Sequence, residues 1–250
     1  MIERFLLTAT VLILTSMPGT TRAQAQSQNP PRFERFLVPV SVGYISGGYG
    51  SIWETELRYR NNSDKPLEVT PLRITDQVPT IGRTELLSVE FRPISNPGVF
   101  LRVNRDGSEK VQFDLRLINR ADTTGDWGTK IPVVREEQFL DSIDLINVPT
   151  STDFRSALRV YALDGTAGDG ASVTVQIYSH LEVLLASTDL PLNGSPKYAD
   201  ILSLADAFPE IRQVDRVRVH IEPHDSGTKL WAFVTAVSNH TQHVAVVTPE

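Results

Sequence analysis

The chain runs to 250 residues, with 24 Lys and Arg against 30 Asp and Glu, a formal charge of -6 and no cysteine. Without Cys it can form no disulfide framework, no thiolate metal site and no lipid-modified N-terminal Cys. Its acidic and basic residues are interleaved, with no Lys/Arg cluster to neutralise a phosphate backbone, so nucleic acid is not an expected partner.

The first 25 residues read as a secretory signal. Arg4 supplies the positive charge, Phe5 to Thr15 the apolar core, and Ala23-Gln24-Ala25 a small-residue cleavage pattern. The apolar run falls short of the ~20 residues that a membrane span requires. The mature chain is expected to begin at Gln26, and residues 26–34 to form a disordered leader. The expected localisation is therefore secreted or periplasmic, with no membrane span in the mature chain and no C-terminal anchor.

From there the dominant pattern is alternation with a period of two. Trp53, Thr55, Leu57 and Tyr59 alternate with Glu54, Glu56, Arg58 and Arg60, which are expected to face water. Val111, Phe113, Leu115 and Leu117 repeat the pattern, as do Val173, Val175 and Ile177, and then Val217, Val219 and Ile221. Half-buried antiparallel strands carry this signature. Turn residues separate the runs at Asn61 to Pro66, at Arg105-Asp106-Gly107, at Asp164-Gly165 and Gly168 to Gly170, and at Ser238 to Thr241. Sequons begin at Asn61, Asn193 and Asn239, which read as turn residues. Ser203 to Ile211, interrupted by Pro209, reads as a single helical turn crossing between sheets.

The expected fold class is all-β, with two tandem Ig-like antiparallel β-sandwich domains behind the signal peptide. Domain 1 is expected over 35–124 and domain 2 over 129–250, divided by the polar stretch Ala121 to Thr129; Pro149 to Asp153 is the rival boundary. A faint repeat supports two copies: Leu37-Val38-Pro39-Val40 before Leu57 to Arg60, and Ile131-Pro132-Val133-Val134 before Leu158 to Tyr161. Because Pro donates no ladder hydrogen bond, both Pro-containing strands are expected at sheet edges.

The stretch Glu56 to Val69, with its Asn61-Asn62-Ser63-Asp64-Lys65-Pro66 turn, resembles the first hairpin of PapD-type and other Ig-like modules of the bacterial envelope. Arg102 to Arg116 fits that pattern too. Two such domains behind a signal peptide resemble periplasmic pilus chaperones in size and layout. The sequence departs from that family in offering no placeable basic pair of the kind that anchors a client's C-terminus. The resemblance therefore implies a fold rather than an activity.

Candidate chemistry is sparse. His220, Glu222 and His224 alternate on one strand and could offer metal ligands, but residues two apart on a strand lie roughly 6.5–7 Å apart, and these are the solvent-facing positions opposite Val217, Val219 and Ile221. His240 and His243 flank a turn. Asp122, Asp126, Asp164 and Asp169 sit in loops without the calcium-loop pattern. Glu136-Glu137 reads as solvated charge. No G-x-S-x-G elbow is present. No catalytic residue, metal site or cofactor is therefore assigned.

Gly43 to Gly50 is the one glycine-rich loop, and it feeds a strand rather than a helix, which rules out a phosphate cradle. Its Tyr44 and Tyr49 are the candidate binding residues, with aromatic faces suited to a sugar or a protein partner. The alternative is a mobile connection whose tyrosines fold back over the core. The functional expectation is an exported non-enzymatic binding or structural protein whose partner is a protein or glycan of the cell envelope. A periplasmic chaperone-like protein using an exposed strand edge and a carbohydrate-binding module are the alternatives; a hydrolase is the remotest reading.

Overall fold

In the computed structural model, residues 32–71, 80–81, 86–90, 97–122 and 127–249 are described. The signal segment, most of the leader, and Asp126 lie outside them. The first ten strands are β1 (Phe33–Val38), β2 (Ile45–Ser46), β3 (Ile52–Asn61), β4 (Leu67–Pro71), β5 (Thr80–Ile81), β6 (Leu86–Glu90), β7 (Val99–Asn104), β8 (Val111–Asn119), β9 (Thr129–Ile131) and β10 (Val134–Arg135). Eight more follow: β11 (Ile143–Pro149), β12 (Phe154–Ala162), β13 (Ser172–Tyr178), β14 (Leu184–Pro191), β15 (Tyr198–Ile201), β16 (Arg216–Pro223), β17 (Leu230–Ser238) and β18 (Val244–Val247). The one α-helical turn among the described residues, α1 (Leu204–Ala207), carries the chain from β15 to β16 and is capped by Ser203, whose hydroxyl accepts from the Asp206 N–H. This is the expected crossing between sheets.

The strands form four antiparallel sheets. Their orders are β10-β1-β7-β4-β5, β2-β3-β8-β9 with β6 also on β3, β11-β16-β13-β14, and β15-β12-β17-β18. The fold is thus all-β and of sandwich type. One core gathers Phe36, Leu57, Phe100 and Leu115; the other gathers Leu145, Val175, Ile177 and Val219.

Pairing places the division between the cores later than the expected 121–129. β9 hydrogen-bonds to β8 and β10 to β1, so residues 129–135 complete the first sandwich. Phe139 still packs in the first core, and Ile143 opens the second. Pro149 to Asp153 is only the turn between β11 and β12. The apparent repeat is therefore not structural, since Ile131 to Val134 belongs to the first sandwich. Pro132 lies where the chain leaves β9 for β10, each at a sheet edge as expected. β1 is an exception: two-residue β10 covers its outer side. β1 also starts at Phe33, so Phe33 and Glu34 are strand, not leader.

β10 is held by charge as well as by its ladder. Arg135 donates to both oxygens of Glu34, at 2.8 and 3.1 Å, while Glu34 is only 4% exposed. The same guanidinium covers the Phe36 ring and donates to the Ser108 carbonyl. A buried carboxylate needs such pairing, because stranding it costs several kcal/mol.

The sheet β15-β12-β17-β18 is buried on both faces. Leu158, Val160, Ala162, Leu230, Ala232 and Val234 face the second core, whereas Tyr161, Trp231 and Phe233 pack in the first. That explains the unbroken apolar run Leu230 to Val234, where alternation fails. Residues 32–250 accordingly form one compact unit. At its centre the Tyr161 ring stacks on Phe233 at 6.5 Å, and its hydroxyl proton is shared between the carbonyls of Pro39 and Pro97. Gly98 makes room for it, since a Cβ there would press on the Val38 carbonyl and the Tyr161 ring. Burial pushes the phenol pKa far up, so the hydroxyl stays a donor at any physiological pH.

Tyr161→Phe removes that donor and keeps the ring, leaving two buried carbonyls short of a partner. Denaturant unfolding is expected to show a loss of about 1–3 kcal/mol; an unchanged midpoint would mean the hydroxyl is dispensable.

Candidate functional site

The Gly43 to Gly50 loop is folded onto its neighbours rather than free. β2 pairs with the start of β3, the Gly47 N–H donates to the Ser51 carbonyl at 2.8 Å, and the Ser51 hydroxyl donates to the Gly48 carbonyl at 2.8 Å. A Cβ at Gly48 would collide with the Arg155 guanidinium of the second sandwich. Gly47 and Gly48 therefore serve close approach, whereas Gly50 serves a left-handed backbone at φ 77°.

Both candidate tyrosines stand out of this loop. Tyr44 is 66% exposed and Tyr49 74%, so neither folds back over the core. Each has left-handed backbone, with φ 48° at Tyr44 and 56° at Tyr49. Such a conformation strains any residue carrying a Cβ, an aromatic one especially. The Arg155 guanidinium lies over the Tyr49 ring at 5.1 Å, which fixes that ring in place.

Next to Tyr44, Ile45 helps to line a cavity of about 230 Å³ at the seam between the sandwiches. Val42, Ile45 and Pro97 form one wall; Arg159, Tyr198, Asp200 and Leu202 form the other. Arg159 and Asp200 face one another across β12 and β15, as do Tyr161 and Tyr198. Periodicity could place each on a strand face, but not bring together two walls about 60 to 160 residues apart in sequence.

The other candidates are accounted for by packing. His220 Nδ1 lies 3.1 Å from Asp144, and His224 Nε2 lies 3.2 Å from Asp189 and 2.7 Å from the Thr174 hydroxyl. His240 Nε2 lies 3.0 Å from Asp153. These three histidines thus sit in separate pairings, and among the described residues no group of three or more His, Asp or Glu is arranged to hold a metal ion. Asp169 pairs with Lys197, and the Asp164 carbonyl accepts from Arg35. Asn61 is wholly buried; its Oδ1 accepts from the Ser63 N–H and its Nδ2 donates to the Lys65 carbonyl, closing the β3–β4 turn.

Two expected solvated charges are structural instead. Glu54 is buried and pairs with Arg120, whose pKa that hydrogen bond raises. Glu136 has a side chain only 16% exposed and accepts from Arg35 Nε at 2.9 Å and from Arg105. Burial raises the Glu136 carboxyl pKa, but the two arginines outweigh it and hold it below the ordinary value. Adjacency to Glu137 hid this, because both arginines come from distant strands or turns.

No protein-family model matches the sequence, and no curated protein matches it. Among solved structures, a calcium-binding mutant of Bacteroides uniformis beta-glucuronidase 2 aligns over 89% of this chain and 27% of that one, with 10% identity and a TM-score of 0.19. The chain thus spans about a quarter of that protein, and a likeness so slight carries no argument. Among the described residues, no helix is long and apolar enough to cross a membrane.

The depressed Glu136 pKa makes a prediction about acid. Its contribution is fully present above the unfolded carboxyl value of about 4.3 and is lost as pH falls through the lower folded value. Glu136→Gln is expected to lower the melting midpoint at pH 7 and to flatten its decline below about pH 4.3, as read by a series of thermal melts. Parallel curves for the two proteins would contradict this.

Proposed function

We propose that this chain is an exported, non-catalytic binding protein that holds a protein or glycan of the cell envelope through the Gly43 to Gly50 loop. One observation carries the reading: two tyrosines sit in strained left-handed backbone and yet stand exposed in a loop pinned by hydrogen bonds. Left-handed backbone outside glycine costs on the order of 1–3 kcal/mol. The Tyr44 ring, 66% exposed, recovers little of that by burial, so the strain is best explained by what the ring touches from outside. Tyrosine suits the task, offering a rigid amphipathic face at little entropic cost.

Export rests on the signal pattern of residues 1–25. A second reading has its own observation. β14 is an eight-residue strand at a sheet edge, and Leu181, Val183 and Leu184 stand exposed where it begins. A chaperone-like use of that edge would add a client strand to it.

Paired glycine substitutions test the leading reading. Tyr44→Gly with Tyr49→Gly is expected to reduce capture of envelope partners at least tenfold. Tyr44→Gly alone should raise stability by about 1 kcal/mol, because the strain is relieved. Capture that survives the double change but is lost in Ser187→Lys, which blunts β14 with charge, would favour the edge instead. Expression in a bacterium with mass spectrometry of the envelope fraction is expected to return a chain beginning at Gln26; an unprocessed chain in the cytosol would remove the export half.

A further inference from the structure

The seam cavity contains a mismatch of charge. Arg159 and Asp200 are direct cross-strand neighbours of opposite sign, the placement in which an ion pair ordinarily forms. They form none, with each other or with any other described side chain; the Arg159 charge only moderates the rise that burial gives the Tyr161 hydroxyl pKa. Both line the cavity, Arg159 half-buried, with the Tyr198 ring beside them. A half-buried guanidinium with spare donors facing a carboxylate with spare acceptors calls for a bridging group that both accepts and donates.

We infer that this cavity is a sugar-binding site, in which a pyranose ring lies against Tyr198 and its neighbouring hydroxyls bridge Arg159 and Asp200. The inference rests on the binding reading above and names the ligand class. One hydroxyl accepts from the guanidinium while the next donates to the carboxylate, so a vicinal diol satisfies both charges without adding one. The C–H face of the ring matches the aromatic wall. Ile45 and Leu202, the latter 76% exposed, flank the opening and suit the apolar edge of the sugar. The volume of about 230 Å³ fits a single ring and falls below the roughly 300–1,000 Å³ of pockets for larger apolar ligands. A free amino acid would also satisfy the two charges, but it would leave Tyr44, beside Ile45, without a role. A glycan of several rings reaches past Ile45 to that tyrosine.

Cello-, malto- and chito-oligosaccharides and a peptidoglycan disaccharide, each titrated into the ¹⁵N-labelled mature chain, test the assignment. At least one is expected to shift the amides of Tyr198 to Leu202 and of Tyr44 to Ser46. Arg159→Lys, Asp200→Asn and Tyr198→Leu should each weaken that sugar about tenfold or more, with the melting midpoint unchanged in Asp200→Asn and lowered in Tyr198→Leu, which also removes packing against Tyr161. Asp200→Asn is isosteric at an exposed position, so it keeps the test sound if another variant folds poorly. Shifts produced by glycine or alanine but by none of the sugars would overturn the inference, as would sugar binding indifferent to Arg159 and Asp200. If no sugar binds while the tyrosine pair still governs envelope capture, the ligand class is wrong and the binding reading stands. If both fail, both readings fall.

Discussion

The buried Tyr161 hydroxyl is the contact on which the arrangement of the two sandwiches depends. It is carried by a strand whose neighbours in sequence, Val160 and Ala162, face the second core, while its own ring lies in the first. The two carbonyls it satisfies, of Pro39 and Pro97, belong to connecting segments with no ladder partner there. A buried carbonyl without a donor is costly, so this one side chain fixes where the first sandwich sits on the second. Arg35 against the Asp164 carbonyl, Thr129 against the Val244 carbonyl at 2.8 Å, and the Leu140–Leu230 bridge hold the periphery of the same seam.

Because one sheet serves two cores, apolar side chains fill the centre of the seam, and the cavity opens at its margin. Where Tyr161, Trp231 and Phe233 fill the space, the walls touch; from Tyr198 along β15 to Asp200 and Leu202 they part around the cavity. The cavity is thus a product of closure elsewhere. Its polar residues are the next members of the strand faces that bury aromatics a few ångströms away, which is why a charged pair ends up beside a stacked tyrosine.

The aromatic loop belongs to the same geometry. Gly48 lets the loop lie against Arg155, and Arg155 in turn steadies Tyr49, so the first sandwich presents its tyrosines at the rim of the seam. Preorganisation of this kind lowers the entropic cost of binding, which a mobile loop would incur with each ligand.

The sequence by itself determined the class of fold. Alternation in Val173 to Ile177 and in Val217 to Ile221 placed strands and core faces correctly, because side chains on a strand point to opposite sides whatever the sheet meets. Turn chemistry at Ser238 to Thr241 marked the β17–β18 hairpin, and Tyr44 and Tyr49 were legible as loop aromatics; the Asn61 to Pro66 turn reads as a hairpin but carries the chain from β3 into a different sheet at β4. Only the tertiary structure decided the rest. Glu54 and Glu136 read as solvated until distant arginines reached them, and 129–135 read as the opening of a second domain until its ladders closed the first. Arg159, Tyr198 and Asp200 gave no signal, since their meaning lies in the opposite wall. Period and turn are local properties of the chain, whereas pairing, burial of charge and the seam arise from segments far apart in sequence.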